Sequence, residues 1–90
     1  NLSKFHFERQ FKKLVGMTPL QYFNFIRTGR AKNLLEFEDT TTLEAALASG
    51  FSDYSQFFRT FKKIVGASPM AYRRLARSRR ARKPKIPGGR

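Results

Sequence analysis

Displaced by fifty residues, this sequence falls on itself. The run Phe11-Lys12-Lys13-Leu14-Val15-Gly16-Met17-Thr18-Pro19 meets Phe61-Lys62-Lys63-Ile64-Val65-Gly66-Ala67-Ser68-Pro69. Phe7 meets Phe57, Arg9 meets Arg59 and Tyr22 meets Tyr72. Between residues 3 and 22, nine of twenty positions are identical to their counterparts. Two copies are too few for a stacked solenoid. They make a duplicated module, which points to a partner that is met twice. A chain of 90 residues has room for one compact domain, or for two very small ones sharing a spine.

Each copy reads as a helix, a turn and the opening of a second helix. Phe7, Phe11 and Leu14 fall at i, i+4 and i+7, one helical stripe, and so do Phe57, Phe61 and Ile64. Gly16 and Gly66, just past each stripe, suit a left-handed helix stop. Thr18 then reads as an N-cap, Pro19 as the first helical residue and Gln21 as the closing member of a capping box, with Ser68-Pro69 repeating the pattern. The helix opened by Pro19 is expected to run to about Glu38, with Tyr22, Ile26, Leu34 and Leu35 on its inner side. Twenty residues at ~1.5 Å each make it roughly 30 Å long. Asp39 and the threonines after it end that helix. A short helix from Thr42, with Leu43, Ala46 and Leu47 inward, leads to Gly50. Ser52 is expected to cap the next helix, with Asp53 in its first turn, where a negative charge suits the helix dipole. Residues Thr42–Val65 thus have helix-turn-helix spacing on their own. No alternating strand pattern competes, and the fold class expected is all-α, two helix-turn-helix units joined by a long linker helix.

Charge narrows the partner. Lys and Arg number 19 against six Asp and Glu, a net charge of +13. Residues 1–72 carry +4 of this, while residues 73–90 hold nine cations and no acid. From Arg82 onward two prolines, two glycines and a single large apolar residue leave too little surface to bury, so a disordered basic tail is expected there, a non-specific electrostatic arm. With no Cys and one His, the chain lacks a thiolate metal site and any nucleophile–base set; His6 reads as a rim or core residue, and neither enzyme nor cofactor is expected. No apolar run is long enough to span a membrane. A polyanion is the indicated partner.

The outer faces of the duplicated helices carry the candidate contacts. Lys4, Phe5, Glu8, Arg9 and Lys12 lie opposite or beside the first apolar stripe; Tyr54, Ser55, Phe58, Arg59 and Lys62 hold the same places in the second copy, with Gln56 flanking. Each set offers an arginine able to clasp a guanine edge and a lysine for phosphate. Lys12, Lys13, Lys62 and Lys63 are the phosphate candidates, their plainer reading being solvated helix ends that suit the dipole. Arg9 and Arg59 could each be a solvated surface cation, but their equivalence in both copies favours base contact. Glu8 has two readings, accepting from a cytosine amino group or pairing with Lys4 or Lys12 along its own helix. Two such helices at the ends of a ~30 Å spacer would sit about one duplex turn, ~34 Å, apart on one face of DNA.

The stretch Gly50-Phe51-Ser52-Asp53-Tyr54-Ser55-Gln56-Phe57-Phe58-Arg59-Thr60-Phe61-Lys62-Lys63, continued by Gly66-Ala67-Ser68-Pro69 and Tyr72-Arg73, resembles the signature of the AraC/XylS-type bacterial transcription regulators; Arg30-Ala31-Lys32-Asn33-Leu34-Leu35 is similar to that family's linker-helix motif. The resemblance covers roughly Leu2 to Arg74. It implies two recognition helices placed in successive major grooves of double-stranded DNA, in a cytoplasmic, nucleoid-associated regulator that is an activator by the family's habit. It also implies RNA polymerase as a further partner, no membrane, and an effector acting only through a domain absent from this chain. Base-edge contacts carried over by position fall on Phe5, Glu8 and Arg9 and on Tyr54, Ser55, Gln56 and Arg59; Lys4 is added from the helical wheel alone. Phe58 stands where the family usually has a small or polar residue, and either touches a thymine methyl or packs.

By the same resemblance the helix expected before the first recognition helix is missing. The expected divisions are therefore 1–17 for the recognition helix of a truncated first unit, 18–39 for the linker helix, 40–66 for the second helix-turn-helix, 67–80 for a C-terminal helix and 81–90 for the disordered tail. Part of the Phe7/Phe11 stripe should then be exposed and the first unit less stable. The competing function is a non-specific cationic module that binds nucleic acid or anionic membrane through charge alone. Against it stand the apolar stripes that the helices keep for each other and the repeat itself.

Overall fold

The computed structural model describes residues 3–82, and all its regular elements there are helices: α1 (Lys4–Val15), α2 (Pro19–Phe37), α3 (Thr42–Ala48), α4 (Tyr54–Val65) and α5 (Pro69–Arg82). The last helix takes in residues 81 and 82, which the sequence reading assigned to the disordered tail; the rest of that tail lies outside the described residues. An unbroken run of helix-tolerant Arg, Ser and Ala carries α5 past residue 80.

Local chemistry sets the helix ends. Gly16 and Gly66 adopt φ of 93° and 92°, and each donates its N–H to the carbonyl of the lysine four residues earlier at 2.8 Å. Only glycine takes this left-handed geometry without a Cβ penalty. Thr18 and Gln21 close their capping box, Gln21 N donating to Thr18 Oγ1 at 3.1 Å and Thr18 N to Gln21 Oε1 at 2.9 Å. A second box, Thr41 with Glu44, opens α3. The cap of α4 is Asp53, not Ser52: the extended backbone of Asp53 aims its carboxylate at Ser55 N, 2.9 Å away. There the carboxylate satisfies an orphan amide and meets the positive end of the helix dipole together.

The core is built around the second copy. Ala31 and Leu35 of α2, Ala45 and Ala46 of α3, Phe51 of the connecting turn, and Phe57 and Phe61 of α4 form one buried cluster, with Leu34, Tyr54, Val65 and Tyr72 packed at its edge. The rings run as a chain, Phe51 to Phe57 at 5.2 Å, Phe57 to Phe61 at 5.5 Å and Phe61 to Tyr72 at 5.7 Å between centroids. Such tilted and edge-on pairs add to plain area burial. Two expected inner faces are displaced in part, since Leu35 on α2 and Ala46 on α3 are buried as expected. On α2 the buried positions are Arg27, Thr28, Ala31 and Leu35, while Tyr22 and Ile26 are 42% and 43% exposed. On α3, Ala45 and Ala46 are buried and Leu43 and Leu47 are half exposed. On both helices alanines, Ala31 and then Ala45 and Ala46, are fully buried, where a larger side chain would hold the backbones apart.

Helix α5 is fastened by arginines to the C-terminal end of α2 and to the connection that follows it. Arg77 donates to Leu35 O at 3.2 Å and to Glu38 O at 2.6 Å, Arg80 to Glu36 O at 2.7 Å, and Arg73 to Thr40 O. The last carbonyls of a helix have no partner within it and carry the negative end of its dipole. Guanidinium groups answer both needs. These three cations are therefore structural. Helix α2 runs from the first copy to the second.

Candidate nucleic-acid interface

In α4 Phe57 and Phe61 turn inward, which leaves Ser55, Arg59 and Lys62 at i, i+4 and i+7 on the far side, all exposed. Lys63 is also exposed but lines a separate cleft toward the start of α2, with Met17, Gln21, Asn24, Phe25, Thr60 and Ile64. Gln56 is half-buried on one flank, and Phe58, 38% exposed, lies on the other. Tyr54 is tied into the domain: its hydroxyl bonds Thr42 Oγ1 at 3.1 Å and its ring packs 5.5 Å from Phe57. That bond joins the first turns of α3 and α4.

The corresponding face of α1 carries Phe5, Arg9 and Lys12, again all exposed. Arg9, Gln10, Lys12 and Lys13 line a shallow basic cleft. Lys4 holds the place of Tyr54 but is exposed, and Glu8, in the place of Phe58, is half-buried. Ser3 caps this helix by accepting from His6 N at 3.0 Å. Each helix closes on two lysines, Lys12 and Lys13 in α1 and Lys62 and Lys63 in α4. The negative end of each helix dipole is thus matched by charge that can also meet phosphate. The candidate residues therefore fall into two sets on separate helices, joined through α2 rather than gathered in one pocket.

A model of the family described as a helix-turn-helix domain matches residues 1–75. The chain belongs to the AraC-type helix-turn-helix family. This AraC-type domain is 45% identical over 53 residues to the uncharacterized HTH-type transcriptional regulator YbfI of Bacillus subtilis, a match covering 59% of this chain and 19% of that protein. The crystal structure of the DNA-binding domain of AdpA, a global transcriptional factor, in complex with a target DNA superposes with a TM-score of 0.83 at 35% identity, covering 91% of this chain and 74% of that one. A transcriptional regulator with an AraC-type DNA-binding domain from Chromobacterium violaceum superposes at 0.74 with 28% identity, covering 93% and 71%. The matches span under a fifth of the length of the curated relatives.

Two groups of arginines escaped the sequence reading. Arg27, on the buried side of α2, reaches across to the α3–α4 turn, and burial pushes its guanidinium below the usual arginine value. Arg77 and Arg80 bond carbonyls at the end of α2, and Arg73 bonds that of Thr40 in the connection to α3. The one available signal for Arg27 was its i, i+4, i+8 row with Ala31 and Leu35, a pattern that a search for large apolar residues passes over.

Proposed function

We propose that this domain reads double-stranded DNA in a sequence-specific manner as part of a bacterial transcription regulator, with α4 and α1 entering successive major grooves. The observation that carries the reading is the repeated outward stripe. Ser55-Arg59-Lys62 and Phe5-Arg9-Lys12 stand at equal places on duplicated helices, each exposed while the opposite face points to the domain. A major groove about 12 Å wide accepts one helix, and an arginine fork matches the O6 and N7 of guanine. Arg59 and Arg9 are assigned the central base contacts. Ser55 and Gln56 in α4, and Lys4, Phe5 and Glu8 in α1, contact neighbouring edges. Tyr54 is assigned a contact from the start of α4, although its hydroxyl is engaged with Thr42 and its ring packs against Phe57. Lys12, Lys13, Lys62 and Lys63 meet phosphates. Helix α2, 19 residues, spans ~28 Å and keeps the two helices near the ~34 Å repeat of the duplex. Activation through RNA polymerase, under control of an effector bound elsewhere in the whole regulator, is the role that fits the family.

Selection of bound duplexes from a randomised pool, at two salt concentrations, tests this. Two short enriched elements about one helical turn apart are expected. Enrichment of one element would restrict reading to a single helix. No enrichment, with affinity collapsing as salt rises, would leave a charge-driven module without sequence preference.

A further inference from the structure

Arg27 is 8% exposed, on the face of α2 that carries Thr28, Ala31 and Leu35. Its guanidinium lies between two rings, 4.4 Å from the centroid of Phe23 and 4.0 Å from that of Phe51. One nitrogen donates to the carbonyl of Gly50 at 3.0 Å, and another to Asn24 Oδ1. Gly50 is the corner between α3 and α4, with φ of 99°, and a Cβ placed there would stand 3.2 Å from Arg27 Cδ. Both the backbone angle and the arginine stem therefore call for glycine. The amides around this corner bond back into α3, Gly50 N to Leu47 O at 3.1 Å and Phe51 N to Ala46 O at 3.0 Å. The Gly50 carbonyl instead accepts from Arg27, on another helix.

We infer that Arg27 is a positioning residue for sequence readout by α4: reaching from the linker helix, it fixes the α3–α4 corner and so the angle at which α4 leaves it. This rests on the reading of α4 as a groove-entering helix. The lever is short but sufficient. Arg59 lies five residues beyond Tyr54, and with its own side chain the reach is ~12 Å, so a ~10° tilt at the corner displaces the guanidinium by ~2 Å, against a tolerance of ~0.5 Å for a specific contact. Lysine cannot replace Arg27, because a single ammonium has neither the fork for two acceptors nor the plane to lie between two rings.

The test uses the 90-residue chain and duplexes that the unaltered chain selects from a randomised pool. Affinities are measured for the selected duplex and for copies with one element or the other scrambled, at a temperature where circular dichroism finds every variant folded. The element whose scrambling no longer matters to Arg59→Ala is the one read by α4. Arg27→Met and Arg27→Lys are expected to bind the selected duplex ~10-fold more weakly, with the penalty for scrambling the α4 element nearly abolished and the α1 penalty intact. Folded variants that keep both penalties would overturn the inference and make Arg27 a stabilising residue only. If neither variant folds, Asn24→Ala takes their place, since it frees one guanidinium nitrogen and leaves the rings and Gly50 in position. A loss of ~2–3-fold confined to the α4 element supports the inference. A uniform loss, or none, overturns it. Failure of the unaltered chain to enrich any element brings down the reading of α4, and this inference with it, and is distinguished by needing no variant.

Discussion

Helices α1 and α4 are two copies of one pattern, each of twelve residues, each stopped by a left-handed glycine and followed by a capped proline, yet their surroundings differ. Phe57 is fully buried, and its counterpart Phe7 is 49% exposed. Phe61 is fully buried and Phe11 partly so; Ile64 is 40% exposed and Leu14 82%. The difference does not lie in the copies. It lies in what packs against them. Helix α4 rests on Ala31 and Leu35 of α2, Ala45 and Ala46 of α3, and Tyr72 of α5. Among the described residues α1 has the start of α2, where Phe11 meets Tyr22 at 5.7 Å between centroids. Helical structure and its limits are thus local properties, shared by both copies, whereas burial belongs to the neighbours.

Stability should separate the copies most sharply. Phe57→Ala is expected to cost ~3–5 kcal/mol, the usual toll for emptying a buried phenylalanine site, and Phe7→Ala about 1 kcal/mol or less. Denaturant unfolding followed by circular dichroism measures both, and equal losses would break the comparison. Next in size is readout. Arg59→Ala and Arg9→Ala should each weaken specific binding by ~1–3 kcal/mol at a single base pair, with the larger loss at Arg59, because α4 is held by the core whereas α1, among the described residues, rests only on the start of α2. Fluorescence anisotropy against single-base variants of a selected duplex would measure this. A uniform loss over all sequences would make either arginine a phosphate contact instead.

Smaller effects test how far the second copy extends into α5. Arg77→Ala removes two bonds to the end of α2 and should lower stability by ~1–2 kcal/mol without changing the preferred sequence, whereas exposed Arg79→Ala should stay within ~0.5 kcal/mol. Thermal melts and a repeat of the duplex selection would expose a misassignment if Arg77 altered preference. The smallest effect lies at high pH. Burial, reinforced by the charge of Glu36 and by the hydrogen bond to it at 3.2 Å, pushes the Tyr72 phenol above its ordinary value of 10.0. The folded state then holds the Tyr72 proton more tightly than the unfolded chain. The associated stability is complete below the unfolded value and fades as pH rises through the raised one. Unfolding curves across that window should flatten in Tyr72→Phe; an unchanged slope would mean that the phenol does not titrate with folding.

Much of this was legible along the chain because it depends on residues a few positions apart. The stops at Gly16 and Gly66, the Thr18–Gln21 box and the proline restarts need only neighbours in sequence, and the family signature around Gly50–Lys63 is contiguous. The outer stripes followed from the same periodicity. What escaped were contacts at long separation. Large apolar residues read as inward include Tyr22, Ile26, Leu43 and Leu47, yet the buried positions include the small Ala31 and Ala45, which periodicity of large residues passes over. Charged residues were sorted to the surface, and so Arg27 and the arginines of α5 were missed. Long guanidinium side chains reach carbonyls that periodicity cannot locate.

By itself, then, the sequence determined that the chain is helical, where Gly16 and Gly66 stop α1 and α4 and where Pro19 and Pro69 open the helices after them, and that two equivalent faces carry an arginine and lysines outward, since backbone hydrogen bonding, capping and helical periodicity act over a few residues. Only the tertiary structure decided which copy owns the core, which small residues let helices close, and which arginines hold the α3–α4 corner and the end of α2. Those outcomes depend on packing between segments such as Arg27 and Gly50, 23 residues apart, or Arg77 and Leu35, 42 apart, for which no local rule supplies a partner.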